Sequence, residues 1–339
     1  MEQLIEFGIF ILKLIFIIFA FMICVSVVIS SRKDDKASGR VKTSVLNKKY
    51  KGYKMAMIED AYSDKAKKQF IKQQKKLRKT KKVTKKPNVY VLNYKGDIQA
   101  NSNDALREEI TAIMQVATKG DEVLVRLESP GGVVHGYGLA ASQLQRIKSL
   151  KGVNLVIAVD LVAASGGYMM ASVAHKIIAA PFAIVGSIGV IAQIPNVNKV
   201  LKKAGVDFEM HTAGQYKRTL TVFGENTEDG RKKFKEDIEH IHTLFKKHIA
   251  DNRPQINIDE VSTGETWFGQ DALDNHLVDT VSTSDDYILQ KIKNGNKVIN
   301  VKYEVKQSLQ SKLKQSVSEG IVQTVMRLTQ LTEYKGKQF

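Results

Sequence analysis

The chain is 339 residues long and 43% hydrophobic, enough to bury at least one full core. Its formal net charge of +17 is confined to one end: residues 1–86 hold 22 Lys/Arg against 7 Asp/Glu, and residues 87–339 hold 30 against 28. The near-neutral remainder argues against a nucleic-acid binder, and a single cysteine, Cys24, excludes an intrachain disulfide framework and a cysteine metal site.

The first element is apolar. From Phe7 to Ile29 only Lys13 is charged. As a helix this run would span about 34 Å, enough for the hydrocarbon core of a bilayer. A cleaved signal peptide is the alternative. The acidic start (Glu2, Glu6), the length of the run and the lack of a small-x-small site before Ser30 favour an uncleaved anchor. Arg32, Lys33, Lys36, Arg40 and Lys42 crowd its C-terminal flank, which the positive-inside rule places in the cytoplasm.

Residues 32–86 follow, dominated by lysine, with twelve Lys/Arg and no acid between Lys65 and Lys86. Two readings stay open. A polybasic stretch could rest on anionic lipid, or a solvated helix and linker could hold the next domain off the bilayer. Ala56, Ala61 and Phe70 give only a weak apolar face, and the lack of interleaved aromatics speaks against RNA.

From Asn88 the pattern alternates between strand and helix. Val89–Tyr94 and Val123–Leu127 read as strands, with a helix around Asp104–Ala117 between them and another near Gly138–Ser149. A strand over Val153–Val159 leads to a helix opening at Ser165. The apolar stretch Ile177–Ile194 is broken by Pro181, Gly186 and Gly189, so it predicts buried strands and turns, not a second span. This order predicts an α/β fold with repeated ββα units.

Two strand-then-glycine junctions stand out: Glu128-Ser129-Pro130-Gly131-Gly132 and Ala163-Ala164-Ser165-Gly166-Gly167. Such junctions can supply a nucleophile and backbone N–H donors for an oxyanion. Gly166 and Gly167 would let a substrate approach the backbone closely. Ser165 is equally suited to capping the helix that follows. Its setting is not the G-x-S-x-G of a hydrolase nucleophile elbow. Lys217, in Ala213-Gly214-Gln215-Tyr216-Lys217-Arg218, could serve as a base if desolvated, or be one more solvated lysine. Ser187, in Val185-Gly186-Ser187-Ile188-Gly189, could orient that amine or satisfy a turn. His240 and His242 point to different helix faces, poor geometry for one metal, whereas a Ser-His-acid triad through His135 or His175 stays open. No phosphate-binding or dinucleotide fingerprint is present.

The segment from about Asn88 to Val281 resembles the SppA-type signal peptide peptidases. The motifs that carry the resemblance are Glu128-Ser129-Pro130-Gly131-Gly132, Ala164-Ser165-Gly166-Gly167-Tyr168, Val185-Gly186-Ser187-Ile188-Gly189-Val190 and Tyr216-Lys217, in that order. The basic segment 32–86 resembles the extra N-terminal region of the single-domain members. The resemblance implies a crotonase/Clp protease-like fold over 87–285, after an anchor (1–31) and a basic juxtamembrane segment (32–86). A C-terminal extension (286–339) would follow. It implies a Ser-Lys dyad in which Ser165 is the nucleophile, Lys217 the general base, and Ser187 holds the lysine amine. Gly131 and Gly166 would supply the oxyanion N–H groups, with Gly132 the alternative if the turn is shifted by one.

The reaction implied is hydrolysis of peptide or protein substrates through an acyl-enzyme, on signal peptides or unfolded segments, with no metal or organic cofactor. The family further implies a homo-oligomer with the dyad shared between protomers, so that in one chain the two residues stand too far apart to hydrogen-bond. It places the protein in a bacterial inner membrane, in contact with lipid, with the catalytic domain extracytoplasmic. The basic flank argues against that orientation. Rival readings are a non-catalytic membrane scaffold and a crotonase-like acyl-CoA enzyme. An apolar stripe through Leu309, Leu313, Val317, Ile321, Val325 and Leu328 predicts a C-terminal helix that packs on the domain or a neighbour.

Overall fold

A computed structural model describes residues 39–80 and 86–305. The anchor at 7–29 and the C-terminal stripe at 309–328 lie outside the described residues. Among the described residues no helix is long and apolar enough to cross a membrane.

The fold is mixed α/β. In chain order its strands are β1 (Arg40–Val45), β2 (Asn88–Lys95), β3 (Glu122–Glu128), β4 (Asn154–Val159), β5 (Val162–Ala164), β6 (Lys176–Ala179), β7 (Ile184–Gly186), β8 (Thr266–Phe268), β9 (Thr280–Val281) and β10 (Lys297–Glu304). The helices that matter here are α1 (Leu46–Ala61), α2 (Asp64–Thr80), α3 (Asn103–Met114), α4 (Val134–Lys148), α5 (Gly166–Ser172), α6 (Asn198–Lys203), α7 (Glu228–Asn252), α8 (Ile258–Val261), α9 (Gly269–Asp274) and α10 (Ser284–Lys293).

Seven strands form one sheet in the order β1-β10-β2-β3-β4-β6-β9, and β5-β7-β8 form a second. Each pairing from β10 through β2, β3, β4 and β6 to β9 is parallel. The Val/Leu/Ile runs of β2, β3 and β4 suit this, because a parallel sheet is covered on both faces. Leu92, Val123, Val125, Leu155 and Ile157 face one cluster with Leu106, Ile110, Leu144 and Tyr168 from α3, α4 and α5. The intervening Val91, Leu124 and Val156 face a second cluster under Tyr287 and Ile288 of α10. The period-2 alternation of a strand thus serves two cores.

Consecutive strands β4 and β5 go to different sheets before α5 begins, and β6 and β7 divide in the same way. These two pairs follow the ββα order expected from the sequence, whereas β2 and β3 are each followed directly by a helix. Ile177–Ile194 contains β6 and β7, as its glycines and proline predict. The main sheet also reaches beyond 87–285. It takes β10 from the stretch read as an extension and β1 from the basic segment, and Leu46 and Tyr50 of α1 pack on the second core.

Two buried polar devices close the fold. Arg253 makes a two-pronged ion pair with Asp279 (both contacts 2.9 Å), and Asp279 also accepts the Ile177 N–H. This ties the end of α7 to β6. Glu109 of α3 is buried and accepts the Tyr303 N–H at 2.7 Å. Burial pushes its carboxyl up from 4.5 to about 7, against the opposing pull of the Tyr303 N–H and Lys302. An acid whose pKa is raised on folding binds protons more tightly when folded. Its contribution to stability therefore falls as pH rises from 4.5 through about 7. Glu109→Gln should be more stable than the parent by on the order of 3 kcal/mol at pH 8 and near parity at pH 4.5. Urea denaturation of the purified chain at the two pH values measures this difference, and a gap independent of pH would refute it.

Candidate active site

Three segments converge on Ser165. The end of β3 continues into Ser129, which bridges to Ala163 in the second sheet. The Ser129 N–H donates to the Val162 carbonyl (2.8 Å), and the Ala164 N–H donates to the Ser129 carbonyl (3.0 Å). On the other side β7 runs parallel to β5, and the Ser165 N–H donates to the Gly186 carbonyl at 2.7 Å. The backbone of Ser165 is thus fixed from both flanks.

Its conformation is strained. Ser165 has φ 52° and ψ −118°, and Ser187 has φ 51°. Non-glycine residues at positive φ cost about 1–3 kcal/mol and persist only where the surroundings impose them. Ser165 stands at the N-cap of α5, yet its side chain makes no capping bond. The capping alternative is therefore corrected: at this φ and ψ the side chain does not cap the first turn. Its half-buried hydroxyl makes no hydrogen bond among the described residues.

The two glycine turns meet beside this hydroxyl. A Cβ on Gly131 would lie 2.8 Å from the Ser165 Cβ and 3.0 Å from the Gly166 nitrogen. Gly166 opens α5, so its N–H has no partner within the helix. The Gly131 N–H is already committed to Ser129 Oγ at 3.1 Å, and the Gly132 N–H makes no hydrogen bond among the described residues. Of the two glycines considered as donors on this turn, Gly132 has the free N–H.

The space beside Gly166 and Gly167 is not left for substrate, contrary to expectation. A Cβ on Gly166 would collide with the Tyr137 ring, and one on Gly167 would lie 2.6 Å from the Ser129 carbonyl oxygen. Sequence reasoning missed Tyr137, because nothing local to Val134–Lys148 signals a contact with residue 166.

Ser187 follows Gly186, whose carbonyl holds Ser165, and donates its own N–H to the Glu265 carbonyl at 2.6 Å. Lys217 makes no hydrogen bond with either serine. It is exposed, its backbone N–H closes a turn onto the Gly214 carbonyl (3.1 Å), and its amine makes no hydrogen bond or ion pair among the described residues. The histidines have other duties. His248 Nε2 contacts the Met169 carbonyl (3.0 Å), His242 Nε2 the Ile188 carbonyl (3.3 Å), and His175 Nδ1 accepts the Leu155 N–H (3.0 Å). Burial lowers the pKa of His175 and of His248. His135 is exposed, and no histidine bonds Ser165, so the Ser-His-acid alternative finds no geometry among the described residues. No group of three or more His, Cys, Asp or Glu among the described residues could hold a metal ion.

A strained serine between backbone N–H donors is the arrangement of an acyl-transfer enzyme. Comparison with known proteins defines the class. Residues 2–144 match the model of the peptidase family S49 N-terminal region, and residues 148–298 match that of peptidase family S49. The chain belongs to peptidase family S49 and is a serine peptidase. It is 48% identical over 336 residues to "Probable protease SohB" of Haemophilus influenzae, covering 95% of each chain. It is 45% identical over 326 residues to "Putative protease SohB" of Buchnera aphidicola, covering 91% of this chain and 93% of the relative. Among solved structures it is similar to the 1510-N membrane-bound stomatin-specific protease, at 18% identity and a TM-score of 0.43, over 61% of this chain and 86% of that one.

Two helical glycines give opposite expectations. Gly166→Ala should lower stability by about 3 kcal/mol through the clash with Tyr137. Gly138→Ala meets nothing within 4 Å and should raise it by about 0.5–1 kcal/mol through helix propensity. Chemical denaturation of both variants checks the pair, and similar midpoints for the two would contradict the packing described.

Proposed function

We propose that this serine peptidase works through a Ser165–Lys217 dyad completed between protomers of a homo-oligomer. The observation that carries the reading is the Ser165 hydroxyl, held at φ 52° without a capping bond and beside free N–H groups. In the proposed cycle Ser165 Oγ attacks the scissile carbonyl while a neighbour's neutral Lys217 amine takes its proton. The Gly166 and Gly132 N–H groups receive the oxyanion. Collapse expels the amine product, which takes up the proton held by Lys217, and water then hydrolyses the acyl-enzyme with Lys217 again as base, the proton returning to Ser165 Oγ. Ser187, one residue from the carbonyl that fixes Ser165, holds the lysine amine.

The setting of Lys217 supports assembly across protomers. It lies on an arm, about Val190–Phe223, that is almost wholly exposed yet carries Ile191 (80% exposed), Val200 (66%) and Tyr216 (54%). Its base is stapled by side chains, and Lys233 of α7 lies over the Tyr216 ring at 5.7 Å. Asn196 Nδ2 donates to the Thr221 and Gly224 carbonyls (2.9 and 3.0 Å), and Asn198 Nδ2 to the Phe223 carbonyl (2.8 Å). Apolar side chains so placed favour cover by a second copy. Burial against that copy would also supply the desolvation that a lysine base needs.

We further read the ββα order as crotonase/Clp-like and the apolar run at 7–29 as a single membrane anchor. The substrates of this reading are signal peptides or other unfolded segments with small or apolar side chains, met on the extracytoplasmic face of the inner membrane, where the anchor and the basic segment contact lipid.

Ser165→Ala and Lys217→Ala should each reduce peptide cleavage at least about 1,000-fold. Co-assembled at equal amounts, the two inactive variants should regain activity at about a quarter of the sites, since some interfaces then pair an intact serine with an intact lysine. A mixture that stays inactive despite confirmed co-assembly would refute the shared dyad, and full activity in Ser165→Ala would refute the nucleophile.

A further inference from the structure

Two hydroxyls buried beneath the site form a continuous chain of donors. Ser129 and Tyr137 are both fully buried. The Gly131 N–H donates to Ser129 Oγ (3.1 Å), Ser129 Oγ and Tyr137 Oη are 2.6 Å apart, and Tyr137 Oη donates to the Asp97 carbonyl (2.8 Å). Because the tyrosine proton is committed to that carbonyl, Ser129 must donate to Tyr137, which leaves a serine lone pair for the Gly131 N–H. The direction of every bond is thereby set. Burial pushes the Tyr137 phenol up, so it stays a neutral donor.

The chain packs beside both proposed oxyanion donors. The Asp97 carbonyl belongs to the loop whose Ile98 carbonyl accepts the Val133 N–H (2.9 Å) and would collide with a Cβ on Gly132. The Tyr137 ring occupies the space where Gly166 has no side chain. Gly96 leaves similar room, since a Cβ there would meet Tyr137 Oη and lie 2.6 Å from Ser129 Oγ. Glycines from two separate segments therefore make way for one phenol. A structural filler would not need its hydroxyl, because an apolar pair of the same shape fills a core as well.

We propose that Tyr137 is a positioning residue: through Ser129 it engages the Gly131 N–H, so that the turn presents Gly132, and its ring sets the Gly166 N–H opposite. This rests on the Ser165 reading above. With both N–H groups aimed in advance, stabilisation falls on the tetrahedral oxyanion and not on the bound peptide.

Tyr137→Phe and Ser129→Ala should each lower kcat by about 10- to 100-fold with KM changed less than about twofold. The double variant should lose no more than the worse single one, because both act through one chain. A peptide aldehyde, whose hemiacetal oxyanion mimics the intermediate, should bind the Tyr137→Phe chain more weakly by the same factor as kcat falls. An uncleaved peptide of the same sequence, measured on a Ser165→Ala background, should bind equally with and without Tyr137→Phe. A parallel loss of aldehyde and peptide affinity would mark a merely structural role and overturn the proposal, as would unchanged kcat in Tyr137→Phe. Cleavage that survives Ser165→Ala would instead remove the reading on which it rests.

Discussion

The site depends on one crossing of the chain from sheet to sheet. Strand β3 lies in the middle of the parallel sheet, yet the residue just after it, Ser129, pairs with Ala163 of the second sheet. The two bonds between Ser129 and β5 place the turn at 129–132 against Ser165 before any side chain is considered. The Ser165 N–H is then fixed by Gly186 from the far side, so the Ser165 segment is the middle member of a three-part backbone ladder. Positive φ at Ser165 and at Ser187 is tolerable because both neighbours of that ladder are anchored in the large core. Strain of this kind survives only where the surrounding structure over-determines it.

The sequence was most legible where a pattern is local. The β-branched runs Val123–Leu127 and Val153–Val159 predicted β3 and β4 to within about a residue, because a buried parallel strand is marked by its own composition. The two glycine junctions were visible as sites for the same reason. Less legible was anything decided by distant contacts. The second faces of β2 and β10 are covered partly by Leu46 and Tyr50 of α1, from a stretch whose lysines dominate its composition. Whether Gly131 or Gly132 offers a free N–H turned on a single Ser129 hydroxyl, and whether Ser165 caps its helix turned on ψ at one residue. Composition carries no trace of either. Tyr137 was missed because its role is written on the far side, in the absence of side chains at Gly96 and Gly166.

The two halves of the proposed dyad differ in how they are held, and the difference has a physical logic. Ser165 sits among residues at or near zero exposure, where a local shift would disturb the core. Lys217 sits on an exposed arm, held by asparagine side chains at its base and by Lys233 of α7, which lies over the ring of the neighbouring Tyr216 at 5.7 Å. A charged amine can wait in water at no desolvation cost, whereas the strained serine needs the core to hold it. On the proposed reading, burying Lys217 in a neighbour's site removes both its hydration and the exposure of the arm's apolar side chains in one event. Activity would then require assembly, and a lone chain would carry a prepared nucleophile and donors but no base.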